Sequence, residues 1–238
     1  EQVDAAWGER TRGLMVATPS NPTGTLLSVA EIAALHGSTQ ARGGVLLVDE
    51  IYQGLSYGVE SESALADPVL NAADDVLVVN SFSKYFGMTG WRLGWLVAPT
   101  GLVRELEKLA QHFFISPSTP AQHAALAAFA PATIAILEER RHEFAERRDV
   151  LLPALRALGF GIATEPQGAF YVYADVSALA DDSEALARRM IEEAGVAATP
   201  GLDFGHHQPR RHLRIAYTTR SERLLEAAER IRALGLGR

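Results

Sequence analysis

The stretch VLVVNSFSKYFGMTGWRLGWLVA, residues 76–98, decides the fold. It holds two apolar runs, 76–79 and 93–98, and both are typical of buried β-strands. The glycine-rich link between them is too short to hold a crossover helix together with its turns. We therefore expect the second strand to lie antiparallel to the first.

Two similar apolar runs occur earlier in the chain, at 14–17 and 45–48. Nearly continuous apolar runs of this length predict strands that are buried on both faces of a parallel sheet. Between them, residues 28–42 have a helical spacing of apolar positions, with Ser28 as the N-cap and Glu31 three residues later. This part of the chain therefore predicts a strand, helix, strand unit.

After residue 101 the apolar spacing becomes helical, and a long helix is predicted to end near Leu158. Pro153 lies inside that pattern, so we expect a kink or a restart there. Further strands are predicted at 170–174 and 212–217, and further helices at 183–194 and 221–234. The fold class is α/β, with a mostly parallel sheet followed by a smaller α+β domain. The predicted parts are a partial large domain (1–130), a connecting helix (131–158) and a small domain (159–238).

Composition indicates a globular protein rather than a fibrous or disordered one. Of the 238 residues, 47% are hydrophobic and 21% are charged, and no apolar run approaches the length of a membrane span. The net charge of −7 argues against nucleic acid as a partner. The sequence has no cysteine, which fits a reducing compartment, and we expect a cytoplasmic location.

Polar side chains follow each apolar run of the predicted sheet. In parallel sheets, ligands bind beyond the carboxyl ends of the strands, so these residues are the candidates for a site. Taken alone, each has an ordinary explanation as a cap, a turn residue or a surface charge. Their joint placement favours a functional site. They are Asn21 in TPSNPTG, Asp49 and Tyr52 in DEIY, Ser81, Ser83 and Lys84 in NSFSK, and Arg92, which opens the fourth run.

This set of side chains suits a carbonyl cofactor that is bound as an imine. Lysine forms Schiff bases. Burial lowers its pKa, so that more of the side chain is present as the neutral, nucleophilic amine. Hydroxyl groups and a guanidinium bind phosphate, and a fixed carboxylate suits a pyridinium nitrogen. Pyridoxal phosphate carries all three groups that these residues would recognise.

The motifs also resemble a known family. SFSKYFGMTGWRLG resembles the lysine signature of the class I/II aminotransferases, which are fold-type I pyridoxal-phosphate enzymes. The blocks SNPTG, DEIY, GAFYVY and LRIAY are similar to other blocks of that family and occur in the same order. The resemblance runs from about Leu14 to the C-terminus.

The resemblance implies a role for each candidate. It implies that Lys84 forms the imine, that Asp49 contacts the pyridine nitrogen, and that Tyr52 and Asn21 contact the cofactor's phenolic oxygen. It further implies that Arg214, assisted by Asn21, binds the α-carboxylate of the substrate. Ser81, Ser83 and Arg92 resemble the phosphate-binding set. The implied reaction is ping-pong transfer of an amino group between an L-amino acid and a 2-oxo acid.

Family members have a long portion upstream of the first motif, whereas only thirteen residues precede Leu14 here. In those members this portion supplies further strands, a glycine-containing turn that also holds the phosphate, and an aromatic ring that stacks on the cofactor. The resemblance therefore implies that the sequence is the C-terminal part of such an enzyme. We expect this part to be inactive alone and the complete protein to be a homodimer.

Two other functions share these residues. A β-elimination lyase of the same fold uses the same cofactor groups, and some transcription regulators carry an aminotransferase-like domain as an effector sensor. Release of pyruvate and ammonia would identify the lyase, and a DNA-binding module upstream would identify the regulator. The histidines His206, His207 and His212 have no nearby acidic ligand pattern, so we expect no metal site.

Overall fold

The computed structural model describes residues 2–237, which divide into two compact units. Among the described residues, the first unit comprises 2–19 and 26–138, and the second comprises 20–25 and 139–237. The SNPTG segment therefore belongs to the second unit, although the sequence on both sides of it belongs to the first.

A four-stranded sheet forms the centre of the first unit. Its order is β1-β2-β3-β4, in which β1, β2 and β3 are parallel and β4 is antiparallel to β3. This confirms the predicted reversal after the third strand. The strands are β1 (Gly13–Ala17), β2 (Val45–Asp49), β3 (Val76–Ser81) and β4 (Gly94–Val97).

The register aligns the strand ends that carry the candidate residues. Asp49 pairs with Ala17 on one side and with Val79 on the other, and Ser81 pairs with Gly94 of β4. Since neighbouring strands are about 4.8 Å apart, the Cα atoms of Asp49 and Ser81 are separated by roughly 8 Å. One edge of the sheet therefore presents both residues.

The helices of the first unit begin with the predicted α2. Ser28 caps it by accepting a hydrogen bond from the Glu31 N–H (3.2 Å), and the Glu31 carboxylate accepts one from the Ser28 N–H (2.8 Å), which completes the predicted capping box. The helices are α1 (Gln2–Ala6), α2 (Val29–Gln40), α3 (Pro68–Ala72), α4 (Thr100–Phe114), α5 (Thr119–Ala128) and the start of α6 (Pro131–Ala157).

Burial alternates from one residue to the next in β2 and at the start of β3. Leu46 and Val48 of β2 are fully buried and pack with Val78, whereas Met15 is 70% exposed and Val45 is 38% exposed. The sequence predicted strands that are buried on both faces, so the structure differs from the prediction. Continuous apolar runs show that a strand can be buried on both faces, but the packing elements decide whether it is.

Helix α4 has no buried residue despite its strong apolar stripe, and Phe113 on that stripe is 80% exposed.

By length and composition, no single helix among residues 2–237 could cross a membrane. The bent pair of α5 and α6, with 80° between them, passes that test only when the two are taken together.

The second unit contains a three-stranded antiparallel sheet of order β5-β7-β6, as the alternating patterns predicted for two of its strands. Leu213 and Ile215 of β7 are buried on one face, and Arg214 lies on the other. Its elements are the rest of α6, β5 (Tyr171–Asp175), α7 (Ser183–Ala194), β6 (Thr199–Pro200), β7 (His212–Ala216) and α8 (Ser221–Ala233).

Helix α6 runs as one helix through Pro153 to Ala157, so the expected restart does not occur. The boundary between the two units falls inside this helix, between Glu138 and Glu139. The division into residues 1–130, 131–158 and 159–238 stays a prediction.

Candidate active site

The DEIY segment forms a tight turn directly after β2. The Asp49 carboxylate accepts a hydrogen bond from the Ile51 N–H (2.9 Å), and the Gln53 N–H donates to the Glu50 carbonyl (2.8 Å). An aspartate that accepts from the backbone two residues later stabilises such turns. The turn buries Tyr52, which is 3% exposed, and leaves Asp49 half-buried at the sheet edge.

Tyr52 and Lys84 meet although they follow different strands. The Lys84 ammonium lies 5.4 Å from the centroid of the Tyr52 ring, within the range of a cation–π contact. Tyr85, which follows Lys84, and Gly54, two residues after Tyr52, are also in contact, with the Tyr85 ring lying over Gly54. A Cβ atom on Gly54 would lie 2.7 Å from that ring, and the φ of +89° at Gly54 favours glycine as well. Glycine at 54 therefore lets the two loops pack closely.

Ser81 and Ser83 form a pair of hydroxyl groups. Their Oγ atoms are 2.8 Å apart, and the Ser83 N–H donates to the Ser81 Oγ (3.0 Å). The Ser81 hydroxyl also lies 3.1 Å from the Leu93 carbonyl, and because it has one hydrogen it donates to one of these acceptors at a time. The pair can therefore rotate its hydrogens toward an anion.

Arg92 is linked to the main chain of Ser83 through Thr89. Its guanidinium donates to the Thr89 carbonyl (2.9 Å), and the Thr89 hydroxyl donates to the Ser83 carbonyl (2.5 Å). Arg92 adopts φ +52° and ψ +50°, the left-handed region. For a residue with a side chain this conformation costs about 1–2 kcal/mol, and strain of this kind clusters at functional sites.

Glu50 is a buried carboxylate beside Asp49 that the sequence did not reveal. It is 2% exposed and accepts hydrogen bonds from the Ala64 N–H (2.6 Å) and the Ser63 hydroxyl (3.0 Å). Burial raises its pKa above the ordinary value, although both hydrogen bonds act in the opposite direction. Glu50 therefore ties the turn after β2 to the start of the helical turn at Ala64–Ala66.

In the second unit, Arg214 lies among polar and aromatic partners. Its guanidinium donates to the Asn21 side-chain oxygen (2.8 Å) and to the Thr199 hydroxyl (3.3 Å). The Tyr171 ring lies 4.2 Å from the guanidinium carbon and the Phe204 ring lies 4.6 Å from it. The structure thus brings two predicted residues, Asn21 and Arg214, together. It adds three that the sequence analysis did not single out.

The alternation of residues in the GAFYVY block could have predicted part of this cluster around Arg214. Tyr173 pairs with Arg214 across β5 and β7, and Thr199 pairs with it across β6 and β7, so these side chains share one face of the sheet. Tyr171, two residues before Tyr173, lies on that face too. Phe204 comes from a loop after β6, and no periodic pattern predicts its position.

Gly24 explains why SNPTG belongs with the second unit. Its carbonyl accepts hydrogen bonds from the N–H groups of Gln167 and Gly168 (both 2.9 Å). Its φ is +68°, and a Cβ atom there would lie 2.5 Å from Pro166. Only glycine allows this close approach, which holds the loop that carries Asn21.

The residues of the first unit fit pyridoxal phosphate by the chemistry of their donors. An amine, a carboxylate at the sheet edge, a phenol, two hydroxyl groups and a guanidinium match its carbonyl, ring nitrogen, phenolic oxygen and phosphate. Metal sites have a different composition. Within residues 2–237 no group of three or more histidine, aspartate or glutamate side chains is placed to hold a metal ion.

Comparison with known proteins places this geometry in a family. The family model described as aminotransferase class I and II matches residues 1–231. The chain belongs to this family, as the resemblance of its motifs predicted.

Individual relatives support the assignment. The chain is 40% identical over 220 residues to the valine–pyruvate aminotransferase of Mycobacterium tuberculosis, a match that covers 92% of this chain and 56% of the relative. It is 39% identical to the aspartate/prephenate aminotransferase of Thermus thermophilus, covering 99% of this chain and 60% of the relative. The chain thus spans less than two thirds of the length of these relatives.

Solved structures have the same fold. The crystal structure of an aminotransferase from Mycobacterium tuberculosis superposes with a TM-score of 0.91 at 38% identity, covering 98% of this chain and 59% of that chain. The predicted α/β fold of a pyridoxal-phosphate-dependent aminotransferase is therefore confirmed.

Proposed function

We propose that this chain carries the cofactor-anchoring and carboxylate-binding residues of an aminotransferase that acts on an L-amino acid and a 2-oxo acid. The observation that carries the proposal is the meeting of Lys84 with Tyr52 at a sheet edge that also presents Asp49 and Ser81. The relatives described above are named aminotransferases, which favours amino-group transfer over elimination or effector sensing.

When it is bound, pyridoxal phosphate supplies an electron sink for the charge that develops at the substrate's Cα atom. Lys84 would attach the cofactor through its Nζ atom and, once displaced by the amino group of the substrate, would move the Cα proton. Asp49 would keep the pyridine nitrogen protonated, with Glu50 holding the turn next to it.

The remaining residues would bind and orient. Ser81, Ser83 and Arg92 would bind the phosphate, and Tyr52 and Asn21 would donate to the phenolic oxygen. Arg214, with Asn21, would bind the carboxylate that amino acids and 2-oxo acids share, because a guanidinium binds a planar carboxylate through two parallel hydrogen bonds. The named substrates of the two relatives differ, so the proposal is made for this shared group.

The Lys84→Ala variant of the complete protein that contains this chain, loaded with cofactor, tests the proposal. Loss of a positioned proton-transfer group lowers turnover by about 10²–10⁴-fold, and the cofactor absorbance that depends on attachment to Lys84 should be lost. Steady-state kinetics with varied amino acid and oxo acid should give the parallel lines of a ping-pong mechanism in the wild type. The Lys108→Ala variant, which changes an exposed lysine paired with Glu105, is the control and should keep both properties.

Amino-group transfer at the wild-type rate by Lys84→Ala would refute the assignment of Lys84. Release of pyruvate and ammonia without a transferred amino group would identify a lyase instead. Either of these results can be read without knowing the preferred substrate, because a panel of amino acids can be screened.

A further inference from the structure

We propose that Tyr85 is a positioning residue which, with Glu138 as its hydrogen-bond partner, fixes Lys84 at a set distance from Tyr52. This inference rests on the proposed function, in which Lys84 and Tyr52 contact the same cofactor ring. Tyr85 acts through these neighbours and not on the reacting atoms. All four residues belong to the first unit.

The loop 82–88, which carries Lys84, is held together by its own main chain. The Met88 N–H donates to the Phe82 carbonyl (2.9 Å), and the Gly87 N–H donates to the Lys84 carbonyl (3.0 Å). The side chains of Phe82 and Met88 are buried in one apolar cluster. These contacts fix the shape of the loop, but none of them reaches the turn after β2.

Tyr85 joins this loop to the turn after β2 through its ring. The ring lies over Gly54, where a Cβ atom would meet it at 2.7 Å. The Leu55 N–H donates to the Tyr52 carbonyl (2.9 Å), which closes a tight turn around Gly54. The position of the Tyr85 ring therefore sets how near the turn that holds Tyr52 comes to the loop that holds Lys84.

The hydroxyl group of Tyr85 fixes the ring in turn. It donates to the Glu138 carboxylate of α6 (2.6 Å), and both side chains are half-buried. A hydrogen bond to a charged acceptor is stronger than one between neutral groups, and partial burial limits competition from water. The Phe86 ring also contacts the Tyr85 ring edge to face, with the centroids 5.1 Å apart. Tyr85 thus has contacts with the turn after β2, with its own loop and with α6.

The spacing of Tyr52 and Lys84 has a chemical consequence for the imine. In the proposed function Tyr52 donates to the phenolic oxygen of the cofactor, and the protonated imine nitrogen competes as a donor for the same oxygen. The Tyr52 hydrogen bond therefore lowers the pKa of the imine, and a looser Tyr52 lets that pKa rise. Lys84 must also reach the Cα proton, and a misplaced group transfers it more slowly.

The test uses Tyr85→Phe in the complete protein that contains this chain, loaded with pyridoxal phosphate. This variant keeps a ring over Gly54 and loses only the hydroxyl group. In a pH titration of the imine absorbance, we expect the midpoint to rise by about 0.5. We expect kcat to fall by about 3–10-fold. The KM for the amino acid should stay within about twofold of the wild type, because Arg214 of the second unit would bind its carboxylate.

Two variants of Glu138 separate the hydrogen bond from the charge. Glu138→Gln keeps an oxygen that accepts from Tyr85 but removes the charge, so kcat and the imine midpoint should stay near the wild-type values. Glu138→Leu removes the acceptor and should match Tyr85→Phe, and the double variant should be no slower than either single variant. Equal effects of Gln and Leu would show that the charge of Glu138 acts on the imine directly, which would overturn the proposal.

Tyr217→Phe is the matched control. Tyr217 is fully buried in the second unit, and its hydroxyl donates to the Ala169 carbonyl (3.4 Å). Its loss should lower stability in urea unfolding without moving kcat or the imine midpoint. If Tyr217→Phe moved the imine midpoint as far as Tyr85→Phe does, any loss of stability would have this effect, and Tyr85 would have no positioning role.

The Lys84→Ala variant separates this role from the function on which it rests. If Lys84→Ala loses amino-group transfer but Tyr85→Phe keeps the wild-type kcat and imine midpoint, the positioning role is wrong and the proposed function stands. If Lys84→Ala transfers at the wild-type rate, the proposed function is wrong, and the role of Tyr85 with it.

Discussion

The two units hold their charged residues in different ways. Arg214 in the second unit has two side-chain hydrogen bonds and two aromatic rings that pack against its guanidinium. Arg92 in the first unit is exposed, donates to a backbone carbonyl, and has a left-handed backbone. Side-chain packing thus positions one guanidinium and main-chain geometry positions the other. We therefore expect substitutions to affect them through different observables.

The largest effect should follow Arg214→Lys. Lysine keeps the charge but loses the planar pair of donors, and hydrogen bonds to charged groups contribute about 1.5–3 kcal/mol each. We expect kcat/KM for the amino acid to fall by about 10–100-fold in steady-state assays, mainly through KM. Arg147→Lys, where the guanidinium also lies over an aromatic ring, that of Phe144, is the control, and an equal loss there would show that the comparison is not specific to Arg214.

The substitution Gly24→Ala should destabilise the second unit by straining its main chain. A Cβ atom would meet Pro166 at 2.5 Å, and the positive φ would add strain, so we expect a loss of about 2 kcal/mol in urea unfolding together with a raised KM through displacement of Asn21. Gly37→Ala changes a helical glycine with open space around it and should stabilise by about 0.5–1 kcal/mol. Unchanged stability in Gly24→Ala would contradict this account of the motif.

Arg92→Gly should separate stability from binding in the first unit. Glycine relieves a left-handed backbone, so we expect stabilisation of about 1 kcal/mol in urea unfolding. Loss of the guanidinium should weaken cofactor binding about tenfold in an absorbance titration. Arg92→Lys keeps the strained backbone and the charge. Its affinity for the cofactor should lie between the affinities of the wild type and Arg92→Gly, and its stability should not increase. Tighter cofactor binding by the glycine variant would remove Arg92 from the phosphate set.

The smallest effect concerns Glu50 and pH. Because burial raises its pKa, the folded state binds its proton more strongly than the unfolded state does. The contribution of Glu50 to the free energy of unfolding is therefore at its maximum below pH 4.5, and it decreases as the pH rises through the pKa of Glu50 in the folded state. In Glu50→Gln this fall should be absent, which urea unfolding between pH 4 and pH 8 can measure.

Glu31 gives the control of opposite sign. The hydrogen bonds from the Ser28 N–H and hydroxyl lower its pKa, so its contribution is present above pH 4.5 and is lost as pH falls. Glu31→Gln should therefore flatten the acid side of the same profile. Identical pH profiles for wild type and Glu50→Gln would show that Glu50 does not titrate differently on folding.

The sequence alone determined every strand except β6, the reversal at β4 and the list of candidate residues. Apolar runs, a capping box and a short glycine-rich link are local signals, and each depends on neighbours in the chain. The motifs determined the family for the same reason. Each motif is a short stretch at the end of a strand, and the order of the motifs can be read from the sequence.

The tertiary structure decided which residues meet and which faces are covered. It placed Phe204 and Thr199 beside Arg214 and buried Glu50 within the DEIY turn. It also left Met15 exposed on a sheet that the sequence predicted to be covered, and it placed SNPTG in the second unit. These contacts join residues far apart in the chain, and their free energy depends on packing and on the loss of water, which no local pattern encodes.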